Sequence, residues 1–192
     1  MNKDFQADIE PALACLRTGG ILLYPTDTIW GIGCDATNPE AVEKIFRIKK
    51  RDPAKSLIIL LADKRDILKY IAAPDPELFD YLDALQEPTT IIYDDAIGLA
   101  DGVAAADGSI GIRLTTDPFC RHLIKRLGHP LVSTSANFSG SAAPTHFSEI
   151  STALREAVDY IVHYRQNDIQ SARPSQLVRW TSTGPQPLQR PS

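Results

Sequence analysis

An α/β fold, a twisted mixed β-sheet covered by helices, is what this sequence predicts, and three observations predict it. Segments with a helical apolar period alternate with short apolar runs of strand length. One run, residues 56–62, is apolar almost throughout, the mark of a central strand buried on both faces. At 192 residues the chain has the length of one domain, 1–192, and such a domain buries about 70% of its unfolded surface. No internal repeat or low-complexity tract interrupts it. Prolines fall singly until the tail, where they thicken, so the chain reads as an extended C-terminal segment from about residue 164.

Each element has its own local reason. Residues 5–17 place Phe5, Ile9, Leu13 and Leu16 at helical spacing, and Gly19-Gly20 ends the helix. Residues 21–24 form a short apolar strand stopped by Pro25. Asn38-Pro39-Glu40 reads as an N-cap, a proline at the first helical position and an acidic first turn; the helix turns Val42, Ile45 and Phe46 inward and runs to about Lys50. After the 56–62 strand come helical stretches at 63–71 and 75–85 and strands at 89–93 and 109–114. A helix at 118–127, a strand at 131–134, a helix at 148–157 and a strand at 160–162 follow, and the ending is β-like at 175–180 and 187–189.

Composition narrows the function classes. Cys15, Cys34 and Cys120 are odd in number, widely spaced and without a CxxC pair, which argues against a disulfide framework or a zinc site and for buried free thiols in a reducing cytoplasm. The longest strongly apolar run is far shorter than the roughly 20 residues that span a bilayer, and the N-terminus has no apolar signal core, so a soluble protein with no membrane partner is expected. A net charge of −4 argues against a surface that coats nucleic acid, although a local basic patch is present. His122, His129, His146 and His163 show no metal-ligand spacing and read as surface or capping residues; no metal ligands are expected.

Three stretches carry chemistry. In YPTDTIWGIGCDA, residues 24–36, Gly31, Gly33 and Ala36 match G-x-G-x-x-A, but the next helix cap comes only at Asn38, so a dinucleotide fingerprint is rejected in favour of a glycine-permitted turn beneath the sheet. Thr26, Asp27 and Thr28 stand at the carboxyl end of a strand, where open α/β sheets bind ligands; an Asx or Thr turn accounts for them equally well. In KIFRIKKRDPAK, residues 44–55, cations at a helix end complement its macrodipole, which covers Arg47 and Lys50. Lys49 and Arg51 are left over where Asp52-Pro53 stops the helix, and an ammonium beside a guanidinium is suited to a polyphosphate. In PLVSTSANFSG, residues 130–140, Ser133, Thr134, Ser135 and Asn137 crowd the switch from strand to loop. Unpaired, such groups cost about 1–3 kcal/mol each once buried, so a ligand or metal-bound water that satisfies them is the better explanation than a self-satisfied polar turn. Neither a P-loop nor a nucleophile-elbow sequence occurs. Trp30 and Trp180 read as core or cleft wall.

Taken together, YPTDT with its two glycines, IKKR and STSANFSG resemble the YrdC-like family of L-threonylcarbamoyladenylate synthases, over about residues 20–190. Lys49-Lys50-Arg51 and Ser135-Ala136-Asn137 match the family's KxR and SxN in order and distance. Ser109-Ile110-Gly111-Ile112-Arg113 is similar to its strand ending in arginine, Pro174-Ser175-Gln176-Leu177-Val178 to its serine-bearing segment, and residues 187–191 to its late LRPG element. The chain departs from the pattern in three places: Leu85-Gln86-Glu87-Pro88 stands where Trp-Pro-Gly-Pro is usual, residues 94–107 are alanine-rich, and Gln189-Arg190-Pro191-Ser192 lacks the glycine.

The resemblance implies a YrdC-like sheet with a concave basic cleft, and an enzyme that forms threonylcarbamoyl-AMP and pyrophosphate from L-threonine, bicarbonate or CO2, and ATP with Mg2+. A downstream threonylcarbamoyl transferase would then modify tRNA. It implies that Lys49, Arg51, Lys55 and Arg190 hold phosphate oxygens and that Ser109, Ser135 and Asn137 position ATP or its magnesium. Thr28, Ser133 and Ser175 would orient threonine, and Arg113 would take its carboxylate as a bidentate pair. The polar stretch 164–173 is the expected lid. The rival from another class is a non-catalytic RNA-binding module of the same fold, whose affinity would fall steeply with salt across many basic residues. A carbamoyl-adenylate step within a larger maturation enzyme is disfavoured because the sequence has neither zinc fingers nor a kinase-like domain.

Overall fold

Alternation of helix and strand becomes one nine-stranded sheet in a computed structural model that describes residues 5–52, 56–169 and 173–189. In chain order the strands are β1 (Leu22–Tyr24), β2 (Gly31–Gly33), β3 (Ile58–Leu61), β4 (Thr89–Tyr93), β5 (Ile110–Leu114), β6 (Leu131–Ser135), β7 (Tyr160–Ile161), β8 (Gln176–Thr181) and β9 (Gly184–Leu188). Across the sheet they run β7-β1-β2-β6-β3-β5-β4-β8-β9. Pairs β1–β7, β3–β5 and β4–β8 are parallel and the rest antiparallel. The apolar run at 56–62 thus supplies β3, in the middle of the order as expected.

The helices are α1 (Gln6–Arg17), α2 (Pro39–Lys49), α3 (Glu77–Ala84), α4 (Pro118–Leu127) and α5 (Thr152–Glu156). Asn38 caps α2 by accepting from the Ala41 amide, and Asp117 caps α4 by accepting from the Cys120 amide. Two expected helices are shorter. The stretch at 63–71 is a 3-10 helix, Lys64–Lys69, and the one at 148–157 breaks at extended Ile150, leaving a 3-10 turn at Phe147–Glu149 before Ser151 caps α5.

The expected turn at Gly31–Gly33 is corrected: these residues are β2, hydrogen-bonded between β1 and β6. Strand pairing is hidden in the sequence because two of the three residues are glycine, a residue depleted in strands. The glycines have a packing reason instead. A Cβ on Gly33 would stand 1.8 Å from the Val132 carbonyl oxygen.

Alternation along the strands divides the core in two. Leu23, Ile32, Ile59, Ile112 and Val132 turn to one face, where Val42, Ile45 and Phe46 of α2 cover them. Leu22, Tyr24, Leu60 and Leu131 turn to the other, beneath α1 and α4. Register carries this second face onward: Tyr24 lies beside Gly31, Gly31 beside Ser135, Ser133 beside Ile58, Ile58 beside Gly111 and Thr90 beside Arg113. Large apolar residues give way there to glycine, hydroxyls and one arginine. A cleft opens over them.

Candidate functional site

At one end of the cleft, α2 delivers a lysine into the protein. Lys50 closes the helix in the left-handed conformation, φ 51°, and Lys49, the last helical residue, is only 2% exposed. Its ammonium donates to the Ser135 carbonyl at 2.5 Å and the Asn137 carbonyl at 2.9 Å, and lies 3.4 Å from Asn137 Oδ1. The Ser139 amide returns a bond to the Lys49 carbonyl at 3.0 Å. Ser135 Oγ donates to Asn137 Oδ1, and Asn137 Nδ2 to the Ser141 carbonyl. All three lysine protons are thus directed at uncharged oxygen. Desolvation, reinforced by the nearby Arg51 charge, lowers the Lys49 pKa from 10.5 to about 7. Burial also lowers Arg51, partly offset by Asp52, and Arg51 donates to the Ser56 carbonyl at 2.9 Å.

The other end also holds a buried cation, in different company. Arg113 of β5, 5% exposed, donates from Nη1 to Thr28 Oγ1 at 2.8 Å and from Nη2 to Thr26 Oγ1 at 3.3 Å. Asp27 Oδ1 lies 3.4 Å from the same Nη2, an ion pair without hydrogen-bond geometry, while Asp27 Oδ2 accepts from the Thr116 amide at 2.9 Å. Thr26 Oγ1 further bonds Thr28 Oγ1 at 3.0 Å and accepts from the Thr28 amide at 3.0 Å. The 26–28 segment is therefore a threonine-built turn, and its Thr28 lines the cleft. Arg113 lines the cleft, and its Nε, buried, has no hydrogen-bond partner among the described residues. Thr90 Oγ1 and Ser175 Oγ, 2.8 Å apart, bring β8 to the same wall.

Between these ends lies a cavity of about 160 Å³. Of the expected site residues, Thr28, Arg51, Arg113, Ser133, Ser135 and Ser175 line it. Lys49 and Asn137 meet each other immediately behind Ser135. Ser109 is not among the lining residues; its hydroxyl donates to Asp107 at 2.7 Å. Lys55 and Arg190 lie outside the described residues. Sequence reasoning missed Ser56 and Thr90. Ser56 lines the cavity two residues ahead of β3, and Thr90, buried on β4, bonds the cleft-lining Ser175; only the register puts Thr90 opposite Arg113.

Other expectations sort themselves around this cleft. Trp30 is a cleft wall, backed by Phe147 with ring centroids 4.9 Å apart. Cys34 and Cys120 are buried free thiols and Cys15 is half-buried; burial pushes the Cys15 thiol up to about 11, far from a thiolate nucleophile. Three histidines act as partners of carboxylates, His129 with Asp35, His163 with Asp8 and His146 with Glu149. No group of three His, Cys, Asp or Glu among the described residues is arranged to hold a metal ion. Magnesium asks for one or two carboxylates besides phosphate oxygens. The described residues that line the cleft offer cations and hydroxyls and no carboxylate, so they do not by themselves make a magnesium site, and no step is routed through that ion. No helix among the described residues is long and apolar enough to cross a membrane.

A mixed sheet that buries two cations beneath a row of hydroxyls defines a class: a protein that takes small anionic ligands on an open sheet face. The chain belongs to the Sua5/YciO/YrdC family, whose model, described as telomere recombination, matches residues 14–191. It is 32% identical over 160 residues to the threonylcarbamoyl-AMP synthase of Pseudoalteromonas translucida, covering 82% of this chain and 86% of that protein. It is 30% identical over 181 residues to the threonylcarbamoyl-AMP synthase of Vibrio campbellii, covering 90% and 98%. The crystal structure of P. abyssi Sua5 complexed with L-threonine superposes with a TM-score of 0.82 at 21% identity, over 93% of this chain and 52% of that one. The chain thus spans about half the length of that solved protein, and the likeness at that identity is one of fold.

Proposed function

We propose that this protein is a threonylcarbamoyl-AMP synthase acting in tRNA threonylcarbamoyladenosine formation. The observation that carries the reading is the meeting of the Lys49 ammonium with Ser135 and Asn137 at one end of the cleft that holds Arg113 and Thr28 at its other end. Residues drawn from the segment after α2, from β5, β6 and the 26–28 segment, far apart in the chain, share one small cavity of the size and polarity of an amino acid.

The chemistry follows from the charges. L-Threonine is a zwitterion, net neutral, and suits the Arg113–Asp27 end, itself net neutral. Its carboxylate meets the Arg113 guanidinium where that residue lines the cleft, and its hydroxyl meets Thr28, Ser133 or Ser175. The ammonium first gives up a proton to solvent; the free amine then attacks CO2 and releases a second proton to solvent, or attacks bicarbonate, whose hydroxide leaves with that proton as water, forming the carbamate. A carbamate oxygen then attacks the α-phosphorus of ATP. The new P–O bond forms as the bond to the bridging oxygen breaks, and pyrophosphate leaves with the electron pair. Negative charge grows on the phosphoryl oxygens, beside Arg51 and beside Lys49, whose ammonium is held by the uncharged carbonyl oxygens of Ser135 and Asn137. Lys55 and Arg190 are assigned to the same phosphates. The reaction rests on alignment and electrostatics rather than on a general base. The product, a mixed anhydride, is passed to a threonylcarbamoyl transferase that acts on tRNA in the cytoplasm.

Pyrophosphate release from ATP, with threonine and bicarbonate each omitted in turn, tests this reading. Release that requires both is expected. Release indifferent to threonine overturns it.

A further inference from the structure

Three non-glycine residues among those described have positive φ. Lys50 ends a helix, where the left-handed conformation is ordinary, and Asp95 belongs to a residue type that tolerates it. Arg165, φ 67°, has neither excuse: a long side chain is held in a conformation suited to glycine, in the turn that follows β7. Its guanidinium shows what the strain secures. Nη1 donates to the Thr26 carbonyl at 2.9 Å and to Asp117 Oδ2 at 3.0 Å, and Nε donates to Asp168 at 2.8 Å.

Those partners are the back of the amino-acid end of the cleft. Asp117 is buried at the cap of α4, where desolvation raises its pKa and the Arg165 charge opposes the rise. Thr26 is the residue whose hydroxyl organises Thr28 and accepts from Arg113. The 26–28 segment is therefore gripped between two arginines: Arg113 holds its side chains from the cleft, and Arg165 holds its backbone from behind, 139 residues away in sequence. The turn that carries Arg165 is itself fixed, because buried Asp8 of α1 accepts from the His163 and Tyr164 amides.

We propose that Arg165 is a positioning residue for the amino-acid subsite: by fixing the Thr26 carbonyl it sets the Thr28–Arg113 geometry that recognises the substrate's carboxylate and hydroxyl. It touches no reacting atom. The assignment of substrate rests on the synthase reading, whereas the grip on the 26–28 segment does not.

Arg165→Gly separates positioning from a merely structural role, because glycine relieves the backbone strain while deleting the grip. Two measurements on the full chain test it. Amide hydrogen exchange at Thr28, whose N–H bonds Thr26 Oγ1, should quicken at least tenfold in Arg165→Gly. Titration calorimetry should show L-threonine binding about tenfold more weakly, with the KM for ATP within twofold of wild type; Arg165→Lys should recover part of the loss. Unchanged exchange at Thr28 in Arg165→Gly overturns the grip. Equal loss of threonine and ATP affinity, or threonine affinity equal to that of a wild type that binds it, overturns the subsite role. If exchange quickens but wild type itself ignores threonine, the positioning stands and the synthase reading fails.

Discussion

Each end of the cleft buries a cation, and the two settle its charge in opposite ways. Among the described residues, Lys49 is solvated by the carbonyls of Ser135 and Asn137 and the Asn137 side chain, with Arg51 adding like charge. Arg113 faces the Asp27 carboxylate and donates from both terminal nitrogens to threonine hydroxyls. An unneutralised buried cation exerts its field on whatever enters, because neutral dipoles orient it without cancelling it. A cation paired with a carboxylate recognises shape and hydrogen-bonding pattern more than net charge. One sheet face thus offers a strongly anion-seeking end and a nearly neutral end a few side chains apart. That asymmetry matches a reaction joining a triphosphate to a zwitterion.

Removing the unneutralised charge should do the most damage. Lys49→Met should lower the turnover of pyrophosphate release by roughly a hundredfold or more, the loss typical of a preorganised electrostatic donor. It also strands the Ser135 and Asn137 carbonyls, so the measurement should be paired with a thermal melt. If turnover survives in a folded variant, the contrast between the two ends has no catalytic meaning.

Arg113→Lys keeps the charge and loses the fork. Losing hydrogen bonds to a charged group worth about 1.5–3 kcal/mol predicts a KM for threonine raised roughly tenfold to a hundredfold. The KM for ATP should stay within about twofold. Equal changes in both constants would merge the two ends into one site.

The lowered Lys49 pKa makes the contrast visible as protons. Between about 7, its folded value, and 10.5, its unfolded one, the unfolded chain holds more protons at this position than the folded protein. Unliganded stability from this group therefore rises with pH across that window, and the burial penalty is fully felt below it. An anion bound beside Lys49 restores its proton. ATP binding near pH 8.5 should then take up a proton, approaching ~1 per site, measurable by calorimetry in buffers of different ionisation enthalpy. Threonine binding should show little uptake, since Asp117, the raised carboxylate behind its end, is already paired with Arg165.

Ser175→Ala should have the smallest effect. It removes the hydroxyl 2.8 Å from Thr90 Oγ1 at the edge of the neutral end, and a neutral hydrogen bond of about 1 kcal/mol predicts roughly a fivefold rise in the KM for threonine. A larger loss, or one that falls on ATP, would move the boundary between the ends toward β8.

By itself the sequence determined most of the elements and part of the site. Asn38-Pro39 and Asp117-Pro118 start α2 and α4, the 56–62 run makes a central strand, and the hydroxyl-rich 133–137 stretch ends a strand at the cleft, because periodicity, caps and turn chemistry are written within a few neighbouring residues. Lys49, Arg51, Arg113 and Asn137 were legible as residues with chemistry to spare. What each charge does was decided only by the tertiary structure. β2 is a strand because Gly33 fits against Val132, Arg113 is neutralised because Asp27 lies across the fold, Lys49 is titratable near neutral pH because the protein has taken its water away, and Arg165 reaches Thr26 from the far end of the chain. Desolvation and long-range pairing depend on which distant residues arrive together, and no local window of sequence records that.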